Sequence, residues 1–231
     1  MHTHYAQFKD RTDAGRQLAS RLEAYAHRPE VLVLGLPRGG VPIAYEIAWA
    51  LGVAWDICLV RKLGVPGHRE LAMGAIASNG VRMLNYDVLS WLSISGATVD
   101  AVAARELKEL QRRDRVYRGD RPQPELRDRT IILVDDGIAT GLTMQAAIAV
   151  IKLQRPARLV VAVPVAPPQT CRDLKGEVDD VVCLLTPPDF YAISLWYDDF
   201  AQLSDQEVCT LLSQLFLTTP APQPHANDLY P

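Results

Sequence analysis

Cysteine is scarce in this 231-residue chain: Cys58, Cys171, Cys183 and Cys209 form no Cys-x-x-Cys pair, and no histidine spacing completes a zinc site. A disulfide framework and a zinc module are therefore not expected, and the four read as reduced, mostly buried thiols of a cytoplasmic protein. Long apolar runs are missing too. The longest, Leu159 to Pro168, spans ten residues and holds three prolines, against the ~20 that a membrane helix needs. Met1 to Lys9 is polar and has no apolar stretch of the kind a secretory signal carries. Charge of one sign is absent as well: 24 Lys and Arg stand against 27 Asp and Glu, net −3. That excludes an overall basic nucleic-acid binder. No Gly-Lys-Ser/Thr occurs, so there is no Walker loop, and Gly35-Leu36-Pro37-Arg38-Gly39-Gly40 does not have the spacing of a dinucleotide fingerprint. A nicotinamide-dependent oxidoreductase thereby loses its main signal.

What is present is the composition of a folded domain, 48% apolar and 22% charged. Short β-branched runs alternate with amphipathic stretches. Val31 to Leu34 is a continuous apolar run ending at Gly35, the pattern of a buried strand, and Val41 to Leu51 follows as a helix ended by Gly52. Trp55 to Val60 reads as a second strand. Leu71 to Ala77 and Val81 to Leu84 flank Ser78-Asn79-Gly80 as a hairpin. Ala97 to Arg113 is helical, Arg118 to Arg129 a polar loop, and Thr130 to Val134 a third strand. Gly141 to Gln154 is a helix, Arg158 to Val165 and Val178 to Leu185 are strands, and a further helix starts after Ser204. Strand, turn and helix in repetition predict an α/β fold, an open and mainly parallel sheet with helices on both faces. Ligands of such sheets bind beyond the carboxyl ends of the strands, in the loops after Leu34, Val60, Val134 and Val163.

The loop after the third strand is the most informative. Ile131-Ile132-Leu133-Val134 delivers two adjacent carboxylates, Asp135 and Asp136, and the chain then passes through Gly137-Ile138-Ala139-Thr140-Gly141-Leu142-Thr143 into a helix. Unpaired amides at that helix start, with the positive end of its dipole, make an anion cradle. Thr140 and Thr143 can add hydroxyl donors, and Gly141 lets backbone approach closely. Two carboxylates beside an anion cradle suit a ligand that brings hydroxyl donors or a divalent metal as well as a phosphate; ribose 5-phosphate is such a ligand. An ordinary capped turn explains a lone Asp-Gly, but not the whole run.

This run resembles the phosphoribosyl-pyrophosphate (PRPP) motif of type I phosphoribosyltransferases: four apolar residues, two acids, a short spacer, then Thr-Gly-x-Thr. The resemblance covers roughly Val31 to Leu185. It implies the type I fold with a small hood and a flexible hairpin loop, and transfer of ribose 5-phosphate from PRPP to a nitrogen nucleophile, a nucleobase or related heterocycle, with release of pyrophosphate. A non-catalytic PRPP or nucleotide sensor on the same fold is the alternative. It further implies Asp135, Asp136 and Lys62 as catalytic residues, and Ala139, Thr140, Gly141, Leu142 and Thr143 as the 5-phosphate site. Arg38, Gly39, Gly40 and Arg61 would bind pyrophosphate, with a non-proline cis peptide at Pro37–Arg38. Leu63 to Met73 would be the loop that closes over PRPP. Mg²⁺ is the implied cofactor, carried by PRPP with no direct protein site beyond a share in Asp135 and Asp136. A homodimer is implied, with PRPP and a small base as partners; the charge balance and the short apolar runs lead to no expectation of a membrane or nucleic-acid partner.

Phe190, Trp196 and Tyr197, in the densest aromatic segment, are candidates for a base-stacking hood, with plain packing as the competing role. In 6-oxopurine enzymes an aspartate precedes Thr-Gly and a lysine follows the glycine; here those positions are Ala139 and Leu142. The Ala-Thr-Gly form is closer to adenine and orotate types, in a less-characterised branch. Arg112, Arg113, Arg115, Arg118 and Arg121 form a basic cluster, read as a solvated helix end partly paired with Glu106 and Glu109. Residues 1–219 are expected to make one domain, with a core of about 31–185 and a hood from the C-terminal segment, joined by the N-terminal one. Residues 220–231 form a Pro-rich tail.

Overall fold

A computed structural model describes residues 7–214. Its strands are β1 (Val31–Gly35), β2 (Ala54–Ile57), β3 (Val60–Val65), β4 (His68–Ala77), β5 (Arg82–Leu84), β6 (Thr130–Val134), β7 (Arg158–Val165) and β8 (Asp180–Leu185). Its helices are α1 (Arg11–Ser20), α2 (Gly40–Leu51), α3 (Tyr86–Trp91), α4 (Gly96–Arg118), α5 (Leu142–Lys152), α6 (Pro168–Lys175) and α7 (Asp205–Ser213). Five strands form a parallel sheet in the order β2-β1-β6-β7-β8, and β3-β4-β5 form a separate antiparallel sheet. The expected Pro-rich tail lies outside the described residues.

Every residue of β1 and β6 is buried, which a strand covered by helices on both faces requires. Strand alternation sorts their side chains. Leu32, Leu34, Ile131 and Leu133 pack with Met144, Ile148 and Ile151 of α5. Val31, Val33, Ile132 and Val134 pack on the other face with Ile43 and Ile47 of α2 and Leu18 of α1. The two faces make an open α/β sheet, as the alternation of elements predicts. No helix among the described residues is long and apolar enough to cross a membrane.

Three expectations need correcting. The stretch read as one strand, Trp55 to Val60, divides: β2 ends at Ile57 and β3 begins at Val60 in the other sheet. Arg61 and Lys62 therefore lie inside β3, and the proposed closing loop from Leu63 onward forms the arms of a β-hairpin turning at Pro66-Gly67. The cause is alternation. Leu63 and Val65 point into the core between more exposed neighbours, and Gly64 sits at an irregularity in the ladder, so its glycine marks a bulge rather than a loop.

Second, α4 runs five residues past Arg113, to Arg118. Third, Arg118 is not solvated. It is buried against Asp56 at 3.1 Å, the Ile57 carbonyl at 2.9 Å and Asp114. Asp56 lies within β2, buried, and needs a counter-charge there. The reading does hold for Arg112 and Arg113, which share Glu109. At the far end, α7 starts at Ser204 with a reciprocal Ser204–Glu207 capping box.

Candidate active site

β1 and β6 are neighbours and end level, Gly35 opposite Val134. Parallel pairing thus brings the loop that opens α2 beside the loop that opens α5. The Leu36 amide donates to the Val134 carbonyl at 2.9 Å, stitching the two exits together. A β-carbon on Gly40 would lie 2.5 Å from the Val134 oxygen and 2.9 Å from the Asp135 Cα, and one on Gly39 would overlap the Asp136 carboxylate. Both glycines are required by space: the first loop is pressed onto the acids of the second. The Pro37–Arg38 peptide is cis, the form the resemblance implied, and Arg38 is half-buried.

Asp135 and Asp136 differ in surroundings. The Asp135 Oδ1 accepts the Asp136 amide at 2.9 Å, and the residue keeps part of its surface open. Burial, then the neighbouring Asp136, pushes its carboxyl well above the usual carboxylate range. Asp136 is buried, and burial raises it as well, but the Arg11 guanidinium works in the opposite direction. Arg11 Nε and Nη2 both lie 2.9 Å from Asp136 Oδ2.

Next along the chain, Ile138 is tied to the Val165 carbonyl at 2.9 Å, while Ala139, Thr140, Leu142 and Thr143 face solvent. Gly141 takes a left-handed φ of 76° and offers no side chain to cap α5. The first amides of that helix stay open, as an anion cradle needs. From α6, the Thr170 hydroxyl donates to the Ala139 carbonyl at 3.4 Å, bracing the cradle from behind.

The acids, both glycines and the 139–143 loop are thus brought together. Lys62 pairs across the hairpin with Ala75, which packs with Ala146 of α5, so it lies along the cradle's own helix. Arg61 is drawn away, 2.6 Å from Glu106 of α4. Both line a cavity of about 570 Å³ between the hairpin turn and α4, with Arg105 and Glu106.

The hood assignment fails for two of its three rings. Trp196 and Tyr197 are 8% and 5% exposed, so neither offers a stacking face, while Phe190 is half-buried against the same core. Tyr197 packs between Phe8 and Phe200, with ring centroids at 5.3 and 5.0 Å. Its hydroxyl donates to the Asp136 carbonyl at 2.6 Å, and burial pushes its phenol up. Packing, the competing role, describes them. Sequence reasoning missed Arg11. It lies 125 positions from Asp136 and belongs to no motif, and its only signal is a helix start after Asp10.

The family profile described as phosphoribosyl transferase domain matches residues 4–194. Two Mycobacterium tuberculosis proteins, from strains CDC 1551 and H37Rv, are each named "Putative phosphoribosyl transferase". Each is 47% identical over 207 residues, covering 90% of this chain and 46% of the relative. The chain therefore spans about half the length of these relatives. The crystal structure of TT1426 from Thermus thermophilus superposes with a TM-score of 0.83 at 41% identity, over 90% of this chain and 98% of that one.

Proposed function

The chain belongs to the phosphoribosyl transferase domain family, and from that premise we propose that it moves ribose 5-phosphate from PRPP to a nitrogen nucleophile with release of pyrophosphate. The observation that carries this is the contact of Gly39 and Gly40 with Asp136 and Asp135 beside an uncapped helix start. One ligand spanning that junction must carry an anion at one end, hydroxyls in the middle and an anion at the other.

The amides from Ala139 to Thr143 take the 5-phosphate. The carboxylates accept the 2- and 3-hydroxyls, Asp135 with its more open oxygens. Gly39 and Gly40 let their loop press onto the acids, which puts its backbone next to the ribose site as the pyrophosphate loop, and Arg38 and Lys62 supply positive charge to the departing group. The β3–β4 hairpin shields an oxocarbenium-like centre from water. Hard carboxylate oxygens suit Mg²⁺, which would rest mainly on substrate and water with Asp135 as its protein ligand. When bound, it neutralises the diphosphate. Positioning does most of the work, because the bond broken is in the substrate and no protein nucleophile is required.

The test is pyrophosphate release from PRPP across a panel of nucleobases and related heterocycles, alongside calorimetric titration with ribose 5-phosphate. Base-dependent release, with Asp135→Asn inactive, is expected. A wild type that neither releases pyrophosphate nor binds ribose 5-phosphate overturns the proposal.

A further inference from the structure

Arg11 stands at the first position of α1, outside the sheet-and-loop core that builds the site, yet its guanidinium reaches the acid pair. It is fixed on three sides. Two of its nitrogens meet Asp136 Oδ2 at 2.9 Å, the third donates to the Ala201 carbonyl at 2.9 Å, and the group lies over the Phe200 ring, 3.9 Å from its centroid. The Arg11 and Asp136 side chains are 11% and 13% exposed, which sets them apart from the loose pairs of the surface.

Asp136 is held at its other end too, where the Tyr197 hydroxyl donates to its carbonyl at 2.6 Å. The carboxylate then has little freedom left, because Gly39 sits over it with no space for a β-carbon. Any swing of Asp136 pushes on the glycine loop, and any shift of that loop must be answered by Asp136. The planar guanidinium is the one cation with the geometry to hold this carboxylate, a backbone carbonyl and an aromatic face at once.

We propose that Arg11 is a positioning residue of the active site: by clamping Asp136 beneath Gly39, it sets the distance between the ribose-binding acids and the pyrophosphate-binding loop. The N-terminal helix thereby becomes part of the catalytic apparatus, acting through Asp136 without touching the substrate. This role rests on the phosphoribosyl transfer proposed above and names a control on it. Arg11 orients the Asp136 carboxylate that accepts a ribose hydroxyl, so its loss weakens ribose 5-phosphate through that acid, and PRPP through the acid and the separation of the two subsites together, while leaving the acceptor alone.

The experiment uses the full chain with Arg11→Met, Arg11→Lys and Arg11→Ala. Ribose 5-phosphate affinity is measured by calorimetry, the KM values for PRPP and acceptor by steady-state kinetics, and folding by thermal melting. Arg11→Met should weaken ribose 5-phosphate by roughly 10- to 100-fold, the range typical when an outer partner that orients a site group is lost. It should raise the PRPP KM with the acceptor KM unmoved. Arg11→Lys should recover part of the loss, and added methylguanidinium should rescue Arg11→Ala.

Affinity within twofold of wild type in Arg11→Met overturns the role. So does a loss that follows a lowered melting temperature and is restored neither by lysine nor by methylguanidinium, because that describes a tie that only holds α1 in place. If Arg11→Met does not fold, Arg11→Lys decides: weakened binding at a wild-type melting temperature supports the role, and unchanged binding overturns it. A wild type blind to ribose 5-phosphate and PRPP is a different result. It overturns the phosphoribosyl reading itself, and the positioning role falls with it.

Discussion

Asp135 holds a carboxylate that its surroundings make costly to ionise, and this has a thermodynamic sign. Its folded carboxyl is raised by burial and by Asp136. A raised carboxyl favours the folded state below its unfolded value, and that contribution is lost as pH rises through the folded value. The ligand-free protein at neutral pH therefore stands on the unfavourable side. Asp135→Asn keeps the Oδ1 that accepts the Asp136 amide and removes the charge. It should stabilise the free protein by about 1 kcal/mol, or roughly 2–4 °C in Tm, while abolishing turnover. Melting curves from pH 8 downward check the sign, since the gain should shrink as pH falls and wild-type Asp135 itself takes up a proton.

Gly39→Ala tests the other loop. Gly39 has an ordinary helical φ of −62°, so strain is not the issue; the methyl would meet the Asp136 carboxylate. Overpacking of this kind costs about 1–3 kcal/mol, and ribose 5-phosphate binding by calorimetry should fall with it. These residues were legible in the sequence because each motif carries its spacing within one loop. Arg11 was not, because it meets Asp136 only after the whole sheet has formed. The aromatic rings of 190–197 were visible as rings, but no local pattern says that Trp196 and Tyr197 turn inward.

Among the elements, those with a strong period were legible and those set by long-range partners were not. β1, β6 and α2 are encoded by apolar runs and by Gly52, whose left-handed φ of 63° ends α2. The residue pattern alone hid the β3–β4 hairpin, for which only the resemblance spoke, because Gly64, Pro66 and Gly67 look like loop residues, whereas two of them form the turn and the third a bulge. The end of α4 depends on a partner: Arg118 continues the helix because Asp56 waits in the core 62 positions away. That contrast gives a prediction for one helix. Arg118→Met strands Asp56 without its counter-charge and should cost about 3–5 kcal/mol. Arg112→Met, on the exposed face, should leave the urea midpoint nearly where it is. Equal midpoints for the two variants would mean that Arg118 contributes no more than a surface charge.

Across the whole molecule, the start of the described chain closes on the segment that links β8 to α7. The amides of Gln7 and Phe8 both donate to the Trp196 carbonyl at 3.1 Å, and Phe8 forms a parallel bridge with Tyr197. Asp198 and Asp199 return the contact by donating their amides to Phe8 and Lys9. The segment before α1 and the segment after β8 therefore form one cap over the β6–α5 junction, with Arg11 and Tyr197 as its links to Asp136. The open sheet was readable from the order of elements, but this cap was only partly so, since a pairing between segments nearly 190 positions apart has no local period to show. Its consequence is cooperativity. A cap built from two distant segments cannot leave without exposing Phe8, Trp196 and Tyr197, so calorimetry should show one unfolding transition whose calorimetric and van't Hoff enthalpies agree. Phe8 is 1% exposed, and Phe8→Ala should cost about 3–5 kcal/mol. The same variant should make the chain between β8 and α7 sensitive to protease under conditions that leave the wild type intact. Two separate transitions in the wild type, the first carrying off the cap alone, would show instead that the cap is an appendage and that the candidate site stands without it.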